Sequence, residues 1–303
     1  IRLTHLLAKE GDDLTLYFTT SERIAGVDET STNTPLKPIV EFKAGTDKVF
    51  EATVSRDTLA TDSQNEESLH KGLHWKAVIN IDPSTDTNFS DLESDLGFTV
   101  KILDPAGNEY LASDTAVSMP KPQDDEGQEL TARIDTIKPV LSNLSITSDN
   151  PGAELDPDYP QHLLAREGNK LTLYFQTSER VLGFDEASSK SGLKPEVEFI
   201  SALTGEDKRF AAVVTRNNTD SDGGLEWKAV LDVNSSTHAE LADLESDLGF
   251  LITVRDPSGN EQELGFNAAG ISSDLSQPTE APAKMARVDL KSPEVETFAL
   301  TSK

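Results

Sequence analysis

His5-Leu6-Leu7-Ala8-Lys9-Glu10-Gly11, followed by Leu14-Thr15-Leu16-Tyr17-Phe18 and Thr20-Ser21-Glu22-Arg23, decides the fold, because the chain carries this stretch twice. It returns as His162-Leu163-Leu164-Ala165-Arg166-Glu167-Gly168, Leu171-Thr172-Leu173-Tyr174-Phe175 and Thr177-Ser178-Glu179-Arg180. Leu, Leu and Phe fall on one parity while Thr and Tyr fall on the other. A period of two marks a half-buried β-strand. The polar Ser-Glu-Arg run ends it where the chain leaves the sheet. A chain that repeats such a unit is a tandem repeat.

The rest of the sequence aligns outward from these two strands. Val40-Glu41-Phe42 is answered by Val197-Glu198-Phe199, and Trp75-Lys76-Ala77-Val78 by Trp227-Lys228-Ala229-Val230. The run from Asp91 to Phe98 recurs unchanged from Asp243 to Phe250, and its first six residues read as one short helical turn. The turn Asp104-Pro105-Ala106-Gly107-Asn108 is matched by Asp256-Pro257-Ser258-Gly259-Asn260. One connecting loop is longer in the first copy, and a β framework tolerates insertions of that kind. About seven short strands per unit, with turn signals between them and almost no helix, predict an antiparallel β-sandwich. Each Trp lies on the apolar parity of its strand and is expected in the core.

The repeat phase sets the expected boundaries. Residues 111–132 are polar and read as a last edge strand followed by a linker. Arg133-Ile134-Asp135-Thr136-Ile137-Lys138-Pro139 then opens a new unit, with Leu141, Leu144 and Ile146 in its first strand. The expected domains are therefore 1–132, lacking its first strand, and 133–286, complete. Residues 287–303 form a C-terminal strand belonging to a following unit. On this phase the chain is expected to be a piece of a longer array, or a subunit that lends that strand to a neighbour. The inter-unit strand would use Val288, Leu290, Val295, Phe298 and Leu300.

Composition narrows the function classes. Asp plus Glu number 54 against 27 Lys plus Arg, a formal net charge of -27. Such a surface repels nucleic acid and anionic lipid, so neither is expected as a partner. No apolar run approaches the roughly 20 residues needed to span a bilayer, and no signal-peptide pattern occurs in this piece. Cysteine is absent, which excludes disulfides and thiolate metal sites. No catalytic constellation is present either. The five histidines (His5, His70, His74, His162 and His238) form no metal-type spacing. There is no phosphate-binding glycine loop and no nucleophile elbow, so a non-enzyme is expected. Asn218-Thr219-Asp220-Ser221-Asp222-Gly223 mimics the start of an EF-hand loop, but Ala229 stands where the bidentate Glu is required. It reads as a hairpin loop.

Taken in order, the Asp-Thr-x-x-Pro opening, the Gly-x-x-Leu-Thr-Leu-x-Phe-x-x-Ser-Glu strand, the Trp-x-Ala-Val strand and the terminal Asp-x-x-Gly-Asn turn resemble bacterial immunoglobulin-like repeats. These are strung in tandem in giant surface and biofilm adhesins. The resemblance implies two tandem immunoglobulin-like antiparallel sandwiches, extracellular or on the bacterial surface, that serve as non-enzymatic spacer modules often rigidified by Ca²⁺. In such a sandwich the second and sixth strands end at the pole where the first strand enters. That places Asp135, Glu179, Asp256 and Asn260 together, with Asp185 nearby on the loop after the second strand. Carboxylate and amide oxygens are what Ca²⁺ takes, six to eight at a time. The competing reading is a plain tight turn, in which Pro and Gly suit the turn positions and Asp bonds back to the backbone. In that reading Glu179 pairs with Arg180 or Arg133. Three functional expectations follow. The first is a structural adhesin or filament module whose partners are neighbouring copies of the same repeat, in cis or head to tail. The second is a glycan- or protein-binding module acting through its long loops, and the third an accessory region of a carbohydrate-active enzyme.

Overall fold

The computed structural model describes residues 5–21, 24, 37–57, 74–113, 131–152, 160–182, 194–201, 208–217, 225–269, 271–272, 280–292 and 297. Strands make up nearly all of the regular structure, and the chain divides into two compact units, Ile1–Ile137 and Lys138–Lys303.

Unit 1 contains β1 (His5–Ala8), β2 (Asp13–Thr19), β3 (Ile39–Ala44), β4 (Lys48–Glu51), β5 (Thr53–Arg56), β6 (His74–Asn80), β7 (Glu93–Leu103), β8 (Glu109–Ser113) and β9 (Thr131–Asp135). One sheet runs β1-β9-β7-β3-β4, with β8 also on β7, and the other runs β2-β6-β5. Unit 2 contains β10 (Leu141–Ser148), β11 (His162–Ala165), β12 (Lys170–Thr177), β13 (Glu196–Ser201), β14 (Arg209–Ala211), β15 (Val213–Arg216), β16 (Glu226–Asp232), β17 (Glu245–Arg255), β18 (Glu261–Phe266) and β19 (Met285–Asp289). Its sheets run β11-β19-β17-β13-β14, with β18 on β17, and β10-β12-β16-β15. The pairings are antiparallel except β1 on β9 and β11 on β19.

The parity read from the sequence is the parity observed. Along β12, Leu171, Leu173 and Phe175 are buried and the residues between them are half-exposed. Side chains from both sheets of unit 2 form one apolar cluster, among them Leu173 and Trp227 from one sheet and Phe199 and Phe250 from the other. Unit 1 has its own cluster around Trp75, Val40 and Ile134. Both Trp side chains are buried. Trp75 lies opposite Phe18 and stacks on it at 6.5 Å between ring centroids. Gly11 and Gly168, at φ 87° and 85°, make the turns before β2 and β12, where a side chain would be strained.

Three expectations are corrected. Residues 91–96 are not a helical turn. The single 3-10 turns lie earlier, at Thr87–Phe89 and Ala239–Leu241. Asp91 and Asp243 then take positive φ, and strand pairing starts at Glu93 and Glu245. Arg133 does not open the second unit. It lies on β9, which pairs with β1 and β7 of unit 1. Likewise Val288 and Leu290 are not an inter-unit strand. Val288 sits on β19 opposite Ala165 and Ser246 of its own unit, and the Leu290 N–H donates to the Leu244 carbonyl at 2.8 Å. Val295, Phe298 and Leu300 lie outside the described residues, as does the EF-hand-like run 218–223.

The physical reason is that the last strand of each unit is interrupted. β18 pairs with the second half of β17, from Arg255 back to Phe250, and β19 resumes on the first half, from Leu248 to Glu245. Between them the chain leaves the sheet. At Gly249 a Cβ would stand 2.3 Å from the Phe266 carbonyl oxygen, so only glycine lets the departing backbone pass. β8 and β9 divide the edge of β7 in the same way. Each resumed strand is fastened by one arginine. Arg287 donates to Asp247 at 2.7 Å and to Glu245 at 3.0 Å, and Arg133 to Asp95 at 2.8 Å and to Glu93 at 2.7 Å. The two carboxylates sit two residues apart on one face of the neighbouring strand, so a planar guanidinium reaches both.

Two outcomes follow. In a Trp75→Phe chain, Trp227 alone reports unit 2, and its native emission should be blue-shifted and resist acrylamide quenching. In that background Arg287→Ala should lower the denaturant-measured stability of unit 2 by about 2 kcal/mol, the usual loss for charge-assisted hydrogen bonds. A loss inside about 0.5 kcal/mol, the range of ordinary surface substitutions, would mean that the fork does not hold β19.

Candidate metal centre

The acidic residues singled out in the sequence come from three separate points on the chain. Asp135 is the last residue of β9 and is buried. Its Oδ1 accepts from the Ile137 N–H at 3.1 Å, an Asx-type turn that sets the chain off toward β10. Glu179 follows the end of β12 by two residues and is half-buried. The Thr177 hydroxyl donates to the Glu179 carbonyl at 2.6 Å, which fixes the backbone there. Asp256 follows the end of β17 and is fully buried.

The Asp256–Asn260 turn is tightly made. Gly259, at φ 90°, donates to the Asp256 carbonyl at 3.1 Å, and the Asp256 N–H donates to the Asn260 carbonyl at the same distance. The Asn260 backbone N–H donates to Asp256 Oδ1 at 2.9 Å and its side-chain Nδ2 to Oδ2 at 2.7 Å. Asn260 is itself buried. With its amide nitrogen turned to Asp256, the amide oxygen is the atom with ligand chemistry.

One carboxylate oxygen from each of Asp135, Glu179 and Asp256 lies within 4.8 Å of the other two. At that spacing two like charges repel by roughly 3 kcal/mol for an effective dielectric of about 20. A hard cation among them would add an attraction to each carboxylate that outweighs these repulsions. The donors fit Ca²⁺, since they are carboxylates joined by an amide on a turn, and both sulfur and imidazole are missing from the set. The structure thus brings together Asp135, Glu179 and Asp256, with Asn260 bonded to the last. Asp185 lies outside the described residues. Of the two alternative partners for Glu179, Arg133 is engaged by Glu93 and Asp95.

Unit 1 carries the same turn. The Asn108 backbone N–H and Nδ2 donate to Asp104 Oδ1 and Oδ2 at 2.8 and 2.6 Å. Here the turn is open, with Asn108 exposed and Asp104 half-exposed. The side-chain and backbone bonds from Asn108 hold the Asp104 carboxyl below the ordinary carboxylate range. Asp289, at the end of β19, repeats the local geometry of Asp135, accepting from the Lys291 N–H at 3.0 Å.

The sequence reading missed the Arg133 and Arg287 forks. Their signal is present in the repeat itself, since Glu-x-Asp and Arg recur together, but reading 91–96 as a helical turn takes Glu93 and Asp95 off the strand. Among the described residues, no helix is long and apolar enough to cross a membrane. The chain matches no protein-family model and no curated protein.

A carboxyl with a depressed folded pKa contributes stability above its ordinary pKa, and the contribution is lost as pH falls through the depressed value. In a side-chain carboxyl NMR titration, Asp104 should therefore titrate below the usual value of about 3.9, and Asn108→Ala, which removes the side-chain bond and keeps the backbone one, should move it part of the way back. An unshifted Asp104 would mean that the turn bonds do not persist in solution.

Proposed function

We propose that the chain is a non-enzymatic structural module of an extracellular bacterial adhesin or filament, built from tandem immunoglobulin-like sandwiches and stiffened by Ca²⁺ at Asp135, Glu179, Asp256 and Asn260. The observation that carries this reading is the convergence of three carboxylates from chain positions far apart. One carboxylate oxygen of each lies within 4.8 Å of the other two. A cation held by all three would cross-link stretches of chain that are distant in sequence. That is a use for metal in a stalk, and it needs no open coordination position for a substrate.

Two further features support a structural role. The strand order of unit 2, with β10-β12-β16-β15 facing β11-β19-β17-β13-β14, has an opening strand in each sheet, as an immunoglobulin-like sandwich does. The formal charge of -27 suits a surface that gathers cations and resists non-specific association with other acidic surfaces. Neighbouring copies of the repeat are the partners this reading requires.

Calcium binding to the folded state alone raises stability by about 2.7 kcal/mol at a hundredfold excess over Kd. For a unit of this size that corresponds to roughly 5–10 °C in Tm. In a Trp75→Phe chain, the transition seen by Trp227 should rise by this amount between chelator and millimolar Ca²⁺ at fixed ionic strength. Asp256→Ala should abolish the difference. Superimposable curves for the unmodified site would overturn the calcium reading and leave a tight turn.

A further inference from the structure

The two outer faces of the unit 2 sandwich carry different chemistry. On its larger sheet, Glu198, Glu245, Asp247 and Glu261 face outward in ion pairs with Arg209, Arg287 and Arg255. On its smaller sheet the register sets Ser145, Tyr174, Lys228 and Thr215 side by side across β10, β12, β16 and β15. The next outward row holds Thr147, Thr172, Val230 and Val213. Unit 1 repeats the arrangement, with Tyr17, Lys76 and Ser55 in one row and Thr15, Val78 and Thr53 in the next. None of these positions is acidic, in a chain with 54 Asp and Glu. Neither Lys76 nor Lys228 is in an ion pair among the described residues.

The core does not account for the two tyrosines. Their strand neighbours Phe18 and Phe175 are buried, but Tyr17 is 63% exposed and Tyr174 is half-exposed. A cross-strand pair with the lysine opposite contributes about 0.2–1 kcal/mol to the sheet, which a β-branched residue would supply as well. Yet two of the four tyrosines in the chain stand at this position, each beside a lysine and among hydroxyl side chains. An aromatic ring held in water on a rigid sheet, with polar groups fixed around it, is a contact surface.

We infer that this face binds a neutral polysaccharide, laid across the strands with a sugar ring on each tyrosine. The face of a phenol ring is electronegative, and the C–H groups on one side of a pyranose ring are its complement. Tyrosine offers that surface at low cost in conformational entropy. Around Tyr174, Ser145, Thr147, Thr172 and Thr215 carry hydroxyls that both donate and accept, and Lys228 carries ammonium donors. These groups match the hydroxyls of a sugar. The row in unit 2 crosses three inter-strand steps, about 14 Å, which is room for more than one ring. Charge selects the class of partner. The rows themselves hold no carboxylate, while the formal charge of -27 on the whole chain repels acidic polymers. A protein fits less well, because the core of a protein interface is apolar and poor in lysine. The inference depends neither on the calcium site nor on the chain being a spacer.

The test is affinity electrophoresis of the full chain in native gels, with chelator present throughout. The gels contain a neutral soluble polymer (mixed-linkage β-glucan, xylan, galactomannan or dextran) or polygalacturonate as the acidic counterpart. At least one neutral polymer should retard the chain, and polygalacturonate should not. Tyr17→Ser combined with Tyr174→Ser should weaken that retardation at least tenfold, while Tyr→Phe at both positions, which keeps the ring, should leave most of it. Lys76→Met with Lys228→Met should weaken it several-fold. Unchanged emission from Trp75 and Trp227 in each variant shows that the sandwiches are intact. Retardation by none of the neutral polymers, or retardation indifferent to both the Ser and the Met substitutions, would overturn the binding face. Retardation by polygalacturonate as strong as by any neutral polymer would overturn the class of partner. Because chelator is present, none of these results bears on the calcium reading.

Discussion

Everything in each unit depends on the register between one strand pair, β2 with β6 and β12 with β16. It sets Phe18 opposite Trp75 and Phe175 opposite Trp227. A slip of one residue would turn both aromatic side chains out of the core and Tyr17 or Tyr174 into it. With the register fixed, the Gly11 and Gly168 turns meet the far ends of β6 and β16, where their N–H groups donate to Ile81 and Val233 at 2.8 Å. The second sheet then has a wall to pack against, and the two apolar faces fix its distance and the rows it must bury.

That register was legible because burial on one face imposes a period of two, and the chain states it twice. The strands, the Trp positions and the Asp-x-x-Gly-Asn turns were read correctly for this reason. The unit boundary was not, and the failure has a definite cause. A periodic signal has no origin, so sequence alignment of the two copies cannot say whether Arg133 ends one sandwich or begins the next. Strand pairing can. Arg133 faces Asp95 across β7, and that contact lies within one copy. The misplacement was compounded by the excursion between β8 and β9, whose polar composition looks the same as that of a linker between domains.

The acidic cluster was only half legible from residue types. In a chain with 54 acidic side chains, chance places many carboxylates near one another along the sequence. Asp135, Glu179 and Asp256 are not near one another along the sequence. What located them was topology, since strands of a sandwich that run the same way end at the same pole. The asymmetry between Asp256, buried, and Asp104, half-exposed, follows from the surroundings of two turns whose internal bonds are the same.

The interrupted last strand has a consequence for how such a chain can change over time. The excursion leaves β17 beside Phe250 and returns beside Leu248, so its two ends are held by positions two residues apart on a single strand. Closing a loop between ends already held together depends only weakly on its length, about 0.6 kcal/mol for each doubling. The pairing on either side and the arginine fork are made by residues outside the excursion, although its return packs Ala281 against the core. Each sandwich therefore has one built-in position where new sequence can be spliced in and exhibited without remaking the scaffold, and tandem copies multiply that position along the chain.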